Sequence, residues 1–442
     1  MKPTTVSRRR FLRTTAPAII AASTLGTRCQ AAASDRLTVG VIGAGSRGFN
    51  LINELLKKPE AQIVAVCDVD SFHYRDRPWG NGQPMGRTAA KSHIEMTYGQ
   101  SKKGGTGHSV DSYRDYRELC GREDIDIIVV ATPDHWHALC TLEALRTGKD
   151  VYCEKPVTHK LREGQIISRE VASRAAVFQT GSQQRSSWEF RRAVELARGG
   201  YLGKILSAEI GLPSGYETAQ GSTDIKSPPE SLDYELWCGP AEKLPYMRAR
   251  HHRWWRGHRA FGGGVLMDWI GHHNDIAHWA MGMDESGPRE VEAVGWKSAK
   301  TDVYDTPWHY EIRCQYEGEI STSISDRHAV GTKIVGTDGW VFVTRGAIKA
   351  SDARWVQKSF QPDVEGIYRS DDHMQNFLDC VKSRSRCIAP AEVAHRSITP
   401  GHLGYVSHQL GRKLKWEPTT QRIIDDEAAN DLIYKVQYRD FN

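Results

Sequence analysis

Apolar spacing divides the chain into two stretches of different character. From Arg36 onward, short β-branched runs alternate with helical patterns: a strand over Arg36 to Ile42, a helix over Gly48 to Lys58, a strand over Ile63 to Cys67. A polar, glycine-rich excursion fills residues 76 to 109. Ile125 to Ala131 is then a near-continuous apolar run, as expected of a strand covered on both faces. Thr132-Pro-Asp-His-Trp-His137 breaks it, a helix continues to about Arg146, and Asp150 to Cys153 forms another strand. Such β-α-β alternation predicts an α/β fold built on a doubly wound parallel sheet.

The pattern changes after Pro156. Helices are predicted over Arg162 to Arg174 and Trp188 to Arg198, followed by a loop region rich in Gly, Ser and Pro from 211 to 231. A helix follows over Gly271 to Met281. From Arg289 to about Ala350, alternating segments punctuated by Tyr316-Glu-Gly318 and Thr337-Asp-Gly339 predict antiparallel strands in one open sheet. Helices over His373 to Ser383 and Pro390 to Leu410 close this part. The expected division is 34–156 for the parallel-sheet domain, 157–415 for an α+β domain, and 416–442 as a tail packed on the body.

The first 33 residues belong outside this pattern. Ser7-Arg-Arg-Arg-Phe-Leu-Arg13, an apolar run from Ala16 to Leu25, and Ala31-Ala-Ala33 match a twin-arginine export leader with its cleavage site. Cys29 follows Thr27-Arg28, a poor context for lipid attachment, so anchoring is not expected. The leader changes the charge count. The whole chain carries +5, but 1–33 hold six cations and no acid, which leaves 53 cations against 54 acids. The mature chain is therefore near neutral, and nucleic acid is not an expected partner. No other apolar run approaches a membrane span. The remaining cysteines lack CxxC spacing and read mostly as buried thiols, although export permits a disulfide such as Cys380 with Cys387.

Three segments carry chemistry. Gly43-x-Gly45-x-x-Gly48 lies between a predicted strand and a predicted helix, the context in which glycines allow a tight turn and close approach of a pyrophosphate. Asp68, at the end of the second strand, offers a carboxylate to the ribose hydroxyls and would repel a 2′-phosphate, so NAD is favoured over NADP; Arg47 could blunt that preference. Next, Glu154-Lys-Pro156 places a cation at the C-terminal edge of the sheet, where ligand-facing groups belong. Lastly, Gly262-Gly-Gly-Val-Leu-Met-Asp268 leads to His272. Asp268 and His272, four apart at the start of a predicted helix, share a face that Asp275 can join.

A dinucleotide, a lysine and a histidine together point to hydride removal from an alcohol, with a neutral-pH base for the hydroxyl proton. His273 and His278 compete with His272 for that role. A metal site built from Asp268, His272 and His251 or His252 is the alternative, but hydride transfer needs no metal and none is expected. Trp254 and Trp255, in a basic loop before the glycine bend, suit stacking on a sugar ring; core packing explains them equally well.

With these glycines, Ala131-Thr-Pro133, Glu154-Lys-Pro156 and the Asp268/His272 pair in one order, the chain resembles the glucose–fructose oxidoreductase/inositol dehydrogenase (Gfo/Idh/MocA) family. Leu236-Trp-Cys-Gly-Pro240 and Asp426-Glu-Ala-Ala-Asn430 look like an exported branch of it. The resemblance implies a Rossmann domain and a C-terminal domain whose open sheet forms oligomer interfaces, hence a dimer or tetramer. It implies NAD(P)-dependent redox chemistry on sugars, cyclitols and related polyols. Lys155 then contacts nicotinamide and substrate, His272 is the acid/base, and Asp268 assists, with Trp254 and Trp255 beside the sugar. The cofactor set is Gly43, Gly45, Ser46, Arg47, Gly48, Asp68, Thr132, Pro133, His137, Glu154 and Lys155. An exported enzyme is expected to retain its NAD. The other expectations are a redox-neutral NAD-dependent glycosidase, which some exported relatives are, and a carbohydrate- or NAD-binding protein without catalysis.

Overall fold

The computed structural model describes residues 36–75, 82–101 and 109–441. The expected export leader, with Cys29, lies outside the described residues. Strands β1 (Leu37–Ile42), β2 (Ala61–Cys67), β3 (Asp111–Tyr113), β4 (Ile127–Val130), β5 (Asp150–Cys153) and β6 (Phe178–Thr180) form a parallel sheet in the order β3-β2-β1-β4-β5-β6. Every residue of β4 and β5 is buried, which explains their unbroken apolar runs. Helices α1 (Ser46–Leu55), α2 (Asp134–Arg146) and α3 (Leu161–Arg174) make the crossovers.

The sixth strand and α3 lie beyond residue 156, where the change of character sets the expected boundary. Glu154-Lys-Pro156 interrupts the pattern only locally, and α3 returns the chain to the same sheet through the pairing of β5 with β6. The excursion at 76–109 also holds more order than its composition predicts: a helix spans Arg87–Ser101. Its polarity hides it, since among its buried residues only Ala90 and Ile94 reach the core beside β2.

In the second domain, α4 (Trp188–Arg198), β7 (Ile205–Gly211) and α5 (Gly264–Met281) precede strands β8 (Glu290–Ser298), β9 (Pro307–Gln315), β10 (Ser321–Ser325), β11 (Gly331–Gly336), β12 (Trp340–Thr344) and β13 (Ala347–Ala350). Helices α6 (His373–Ser383) and α7 (Ala391–Leu410), strands β14 (Leu414–Glu417) and β15 (Arg422–Ile423), and α8 (Glu427–Tyr434) follow. The nine strands form one sheet, β13-β12-β11-β7-β10-β9-β8-β14-β15. All of its pairings are antiparallel except β7 with β10. The final segment does more than cover the body: Trp416 pairs with Ile423 at the edge of the sheet, and both are buried.

Helix α5 begins seven residues before Gly271, directly after the glycine bend. Leu266, Met267 and Ile270 continue its apolar face and are buried, so Asp268 and His272 sit in successive turns of an established helix. The eight described cysteines are buried and free, Cys380 and Cys387 included. Among the described residues no helix is long and apolar enough to cross a membrane.

Candidate active site

A cleft of about 650 Å³ runs from the first glycine turn to the face of α5. At one end, Gly43 has φ +96°, and a Cβ there would stand 2.6 Å from the Ala131 backbone. A Cβ on Gly48 would lie 1.9 Å from Gly43 O, so α1 can approach β1 only as glycine. Gly45 faces open space. It is the N-cap of α1, no side chain caps that helix, and its first turn holds no acid. Unsatisfied N–H groups at a positive dipole end are what a pyrophosphate needs.

Asp68 closes this end. Its Oδ2 accepts from Ala44 N at 2.6 Å and its Oδ1 from Asp70 N at 2.9 Å. Burial raises its pKa, with the two backbone N–H groups opposing. Each oxygen keeps a lone pair for a ribose hydroxyl. Thr132 Oγ1, on the same cleft wall, is buried without a hydrogen-bond partner. The open glycine, the uncapped helix, the carboxylate and the orphaned hydroxyl together fit a dinucleotide.

Arg47 points elsewhere. Its Nε donates to Glu154 Oε1 at 2.7 Å, and Glu54 lies 3.7 Å from Nη1. Burial opposes the guanidinium charge, but Glu154 and its neighbours, Glu54 among them, together hold Arg47 charged. The glycine helix is thereby tied to Glu154-Lys-Pro156. Glu154 is 4 % exposed and also accepts from Gln183 Nε2.

At the other end, Lys155 Nζ donates to Asp268 Oδ1 at 2.6 Å and to Asp268 O at 2.9 Å. Arg256 Nε stands 3.1 Å from the same Oδ1. Burial works against the Asp268 charge, but Arg256 and Lys155 together hold its carboxyl well below the usual range. His272 lines the cleft one turn further along α5. Burial, then the charges of Lys155 and Arg345, hold it well below an ordinary histidine, so it is a neutral imidazole; its Nδ1 has no hydrogen-bond partner. The cleft thus offers an ammonium donor, a fixed carboxylate and an unprotonated ring side by side.

Of the expected residues, Gly43, Gly45, Ser46, Arg47, Asp68, Thr132, Pro133, His137, Glu154, Lys155, Asp268 and His272 all line the cleft, as does Trp255. Gly48 acts behind it, through helix packing. His137 has its ring nitrogens 2.7 Å from Pro156 O and 2.9 Å from Thr132 O, so it ties the two loops of the cleft together. Trp254 does not line the cleft; it packs edge-on against Tyr216.

Asp275 does not join the Asp268/His272 face. Arg185 claims it through buried contacts of 2.7 and 2.9 Å. Neither His273, which stacks on Trp269, nor His278, whose Nε2 is 2.8 Å from Tyr316 Oη, lines the cleft. The expected alternative metal set, Asp268 and His272 with His251 or His252, does not assemble among the described residues. Sequence reading missed Arg256, Arg345, Tyr216, Trp269 and Gln183, all cleft-lining. Asp134, within the Thr132–His137 stretch expected at the cleft, lines it as well.

The two domains and this cleft define a dinucleotide-dependent oxidoreductase architecture. Residues 37–182 match the family model for the oxidoreductase family NAD-binding Rossmann fold, and residues 189–442 match that family's C-terminal alpha/beta domain. The chain therefore belongs to the Gfo/Idh/MocA oxidoreductase family, and its N-terminal domain is an NAD-binding Rossmann domain. Among curated relatives, "Glycosyl hydrolase family 109 protein 2" of Shewanella sp. (strain ANA-3) is 32% identical over 129 residues, 29% of this chain. The matched part spans about a quarter of that relative, 25% of its length. The WlbA dehydrogenase of Bordetella pertussis, solved with NADH and UDP-GlcNAcA, superposes with TM-score 0.61 at 16% identity, covering 86% of this chain and 99% of its own. The aldose-aldose oxidoreductase of Caulobacter crescentus, complexed with glycerol, gives 0.58 at 17% identity with the same coverage. At such identities these structures establish the fold alone.

Proposed function

We propose that this protein oxidises a secondary hydroxyl of a sugar, glycoside or cyclitol and keeps its NAD bound between turnovers. The observation that carries this reading is Lys155, Asp268 and His272 meeting on one cleft wall whose far end is the glycine turn. Bound NAD supplies the hydride acceptor. It would be held by the Gly45 turn, Asp68 and Thr132. Lys155 Nζ hydrogen-bonds the reacting hydroxyl oxygen and stabilises negative charge as it develops there. His272 takes the hydroxyl proton; its ring is neutral because burial and Lys155 disfavour the imidazolium. Asp268 holds the lysine in place through two contacts, and Arg256 shares that carboxylate. The tight retention of NAD follows from the export reading of Ser7 to Arg13, since free nicotinamide is scarce outside the cytoplasm. We infer export by the twin-arginine route, and assembly into dimers or tetramers through the open sheet.

The test is to denature purified mature protein, identify the dinucleotide released, and then screen sugars for reduction of bound cofactor at 340 nm. Cofactor-free protein that ignores added NAD would overturn the reading.

One observation favours a second reading, the family 109 glycosyl hydrolase name of the curated relatives. In that reading, oxidation, elimination of the aglycone, water addition and re-reduction leave no net redox change. Nitrophenyl glycosides separate the two: nitrophenol release without an added electron acceptor requires the hydrolytic cycle.

A further inference from the structure

A second cluster on the cleft wall is used neither by hydride chemistry nor by the family assignment. Asp70 lies two residues past Asp68, His73 stands on the short strand His73–Tyr74, and His252 comes from the loop before α5. Among the described residues they form the one group of three His, Cys, Asp or Glu side chains whose ligand atoms all lie within 4.8 Å of one another.

Asp70 Oδ2 is 3.1 Å from His73 Nδ1 and 3.5 Å from His252 Nε2. Neither contact is a hydrogen bond, and His73 Nδ1 is buried without a hydrogen-bond partner. Donors around a tetrahedral ion with bonds of about 2.0–2.1 Å stand roughly 3.3 Å apart, and the two distances from Asp70 bracket that value. The Asp70 side chain is 4% exposed, so its charge is desolvated, and its Oδ1 accepts from Phe72 N at 3.1 Å. His252 adopts φ +49°, a left-handed conformation rare for a non-glycine residue, and this brings its ring to 3.7 Å from that of His73. Histidine χ2 is a broad torsion, so both rings can turn onto one point. Arg248, a cation of the same loop, donates its Nη1 to His251 O.

We propose that Asp70, His73 and His252 bind one divalent transition-metal ion, best matched by zinc, with a fourth position open to the cleft. Two imidazoles and one carboxylate are a zinc-type donor set, and side chains 16% and 22% exposed at the two histidines leave room for a water or ligand oxygen. The ion ties the loop after β2 to the second domain beside Asp68, at one end of the cleft.

The test uses tag-free, full-length mature protein loaded with zinc, desalted and measured for metal by mass spectrometry. The expected result is about one zinc per chain. His73→Ala and His252→Ala, whose chelator-treated forms should melt with wild type, are expected to bind at least tenfold more weakly. Zinc absent from the wild type, or retained equally by both variants, overturns the proposal. Cobalt loading of the wild type decides independently of the variants' folding: intense visible absorption of a tetrahedral N/O site supports it, and the weak spectrum of the hydrated ion overturns it.

Discussion

Lys155 and Asp268 are paired in a place where each is shielded from water, and that pairing sets both stability and rate. Because Asp268 is held below the usual carboxylate range, its contribution is complete above about pH 4, the unfolded value, and is lost as pH falls further. Asp268→Asn should cost about 1.5–3 kcal/mol at pH 7. Urea unfolding should show the gap to wild type closing below pH 4; a gap unchanged at pH 3 would rule out the ion pair as its source. His272→Ala should lower turnover by about 10²–10⁴-fold while the dinucleotide content of the purified protein stays the same. Loss of bound cofactor together with activity would instead assign His272 to the cofactor pocket.

At the scale of elements, the first turn of α2 meets the bend that opens α5. A Cβ on Gly262 would stand 3.1 Å from Asp134 Oδ2 and 2.6 Å from Trp255. Burial pushes the Asp134 carboxyl up to about 7, against the pull of Arg256 and Lys155. Between about pH 4 and 7 the folded protein therefore keeps a proton that the unfolded chain has released, and stability falls as pH rises through that window. Asp134→Asn should remove this decline, seen as a flatter Tm-versus-pH curve than wild type. The contact of α1 with β1 is equally specific. Gly48→Ala places a methyl on Gly43 O, and a loss of about 1–3 kcal/mol with weakened NAD binding is expected, measured by thermal unfolding and fluorescence titration.

For the molecule as a whole, the cleft lies between two domains that share one core. Ile42, Val130 and Cys153 of the parallel-sheet domain belong to the same buried cluster as Leu266, Ile312 and Ile398 of the second. Contacts that continuous bind the domains into one cooperative unit, so calorimetry should record a single transition. Two resolved transitions would show that the cleft walls unfold separately.

Local sequence alone determined strands β1, β2, β4 and β5 of the parallel sheet, the glycine turn, and the placing of Asp68 and Lys155 at strand ends, because each depends on neighbours within one β-α-β unit. Strands covered on both faces read as unbroken apolar runs, and a turn that admits no Cβ must be glycine. Tertiary structure decided what crosses between units: that Arg47 serves Glu154, that Arg185 claims Asp275, that Trp255 and not Trp254 faces the cleft, and that His252 meets Asp70 and His73. A charged or aromatic side chain several bonds long can turn to either side of its backbone. Only the packing of distant elements, absent from any local pattern, selects the partner.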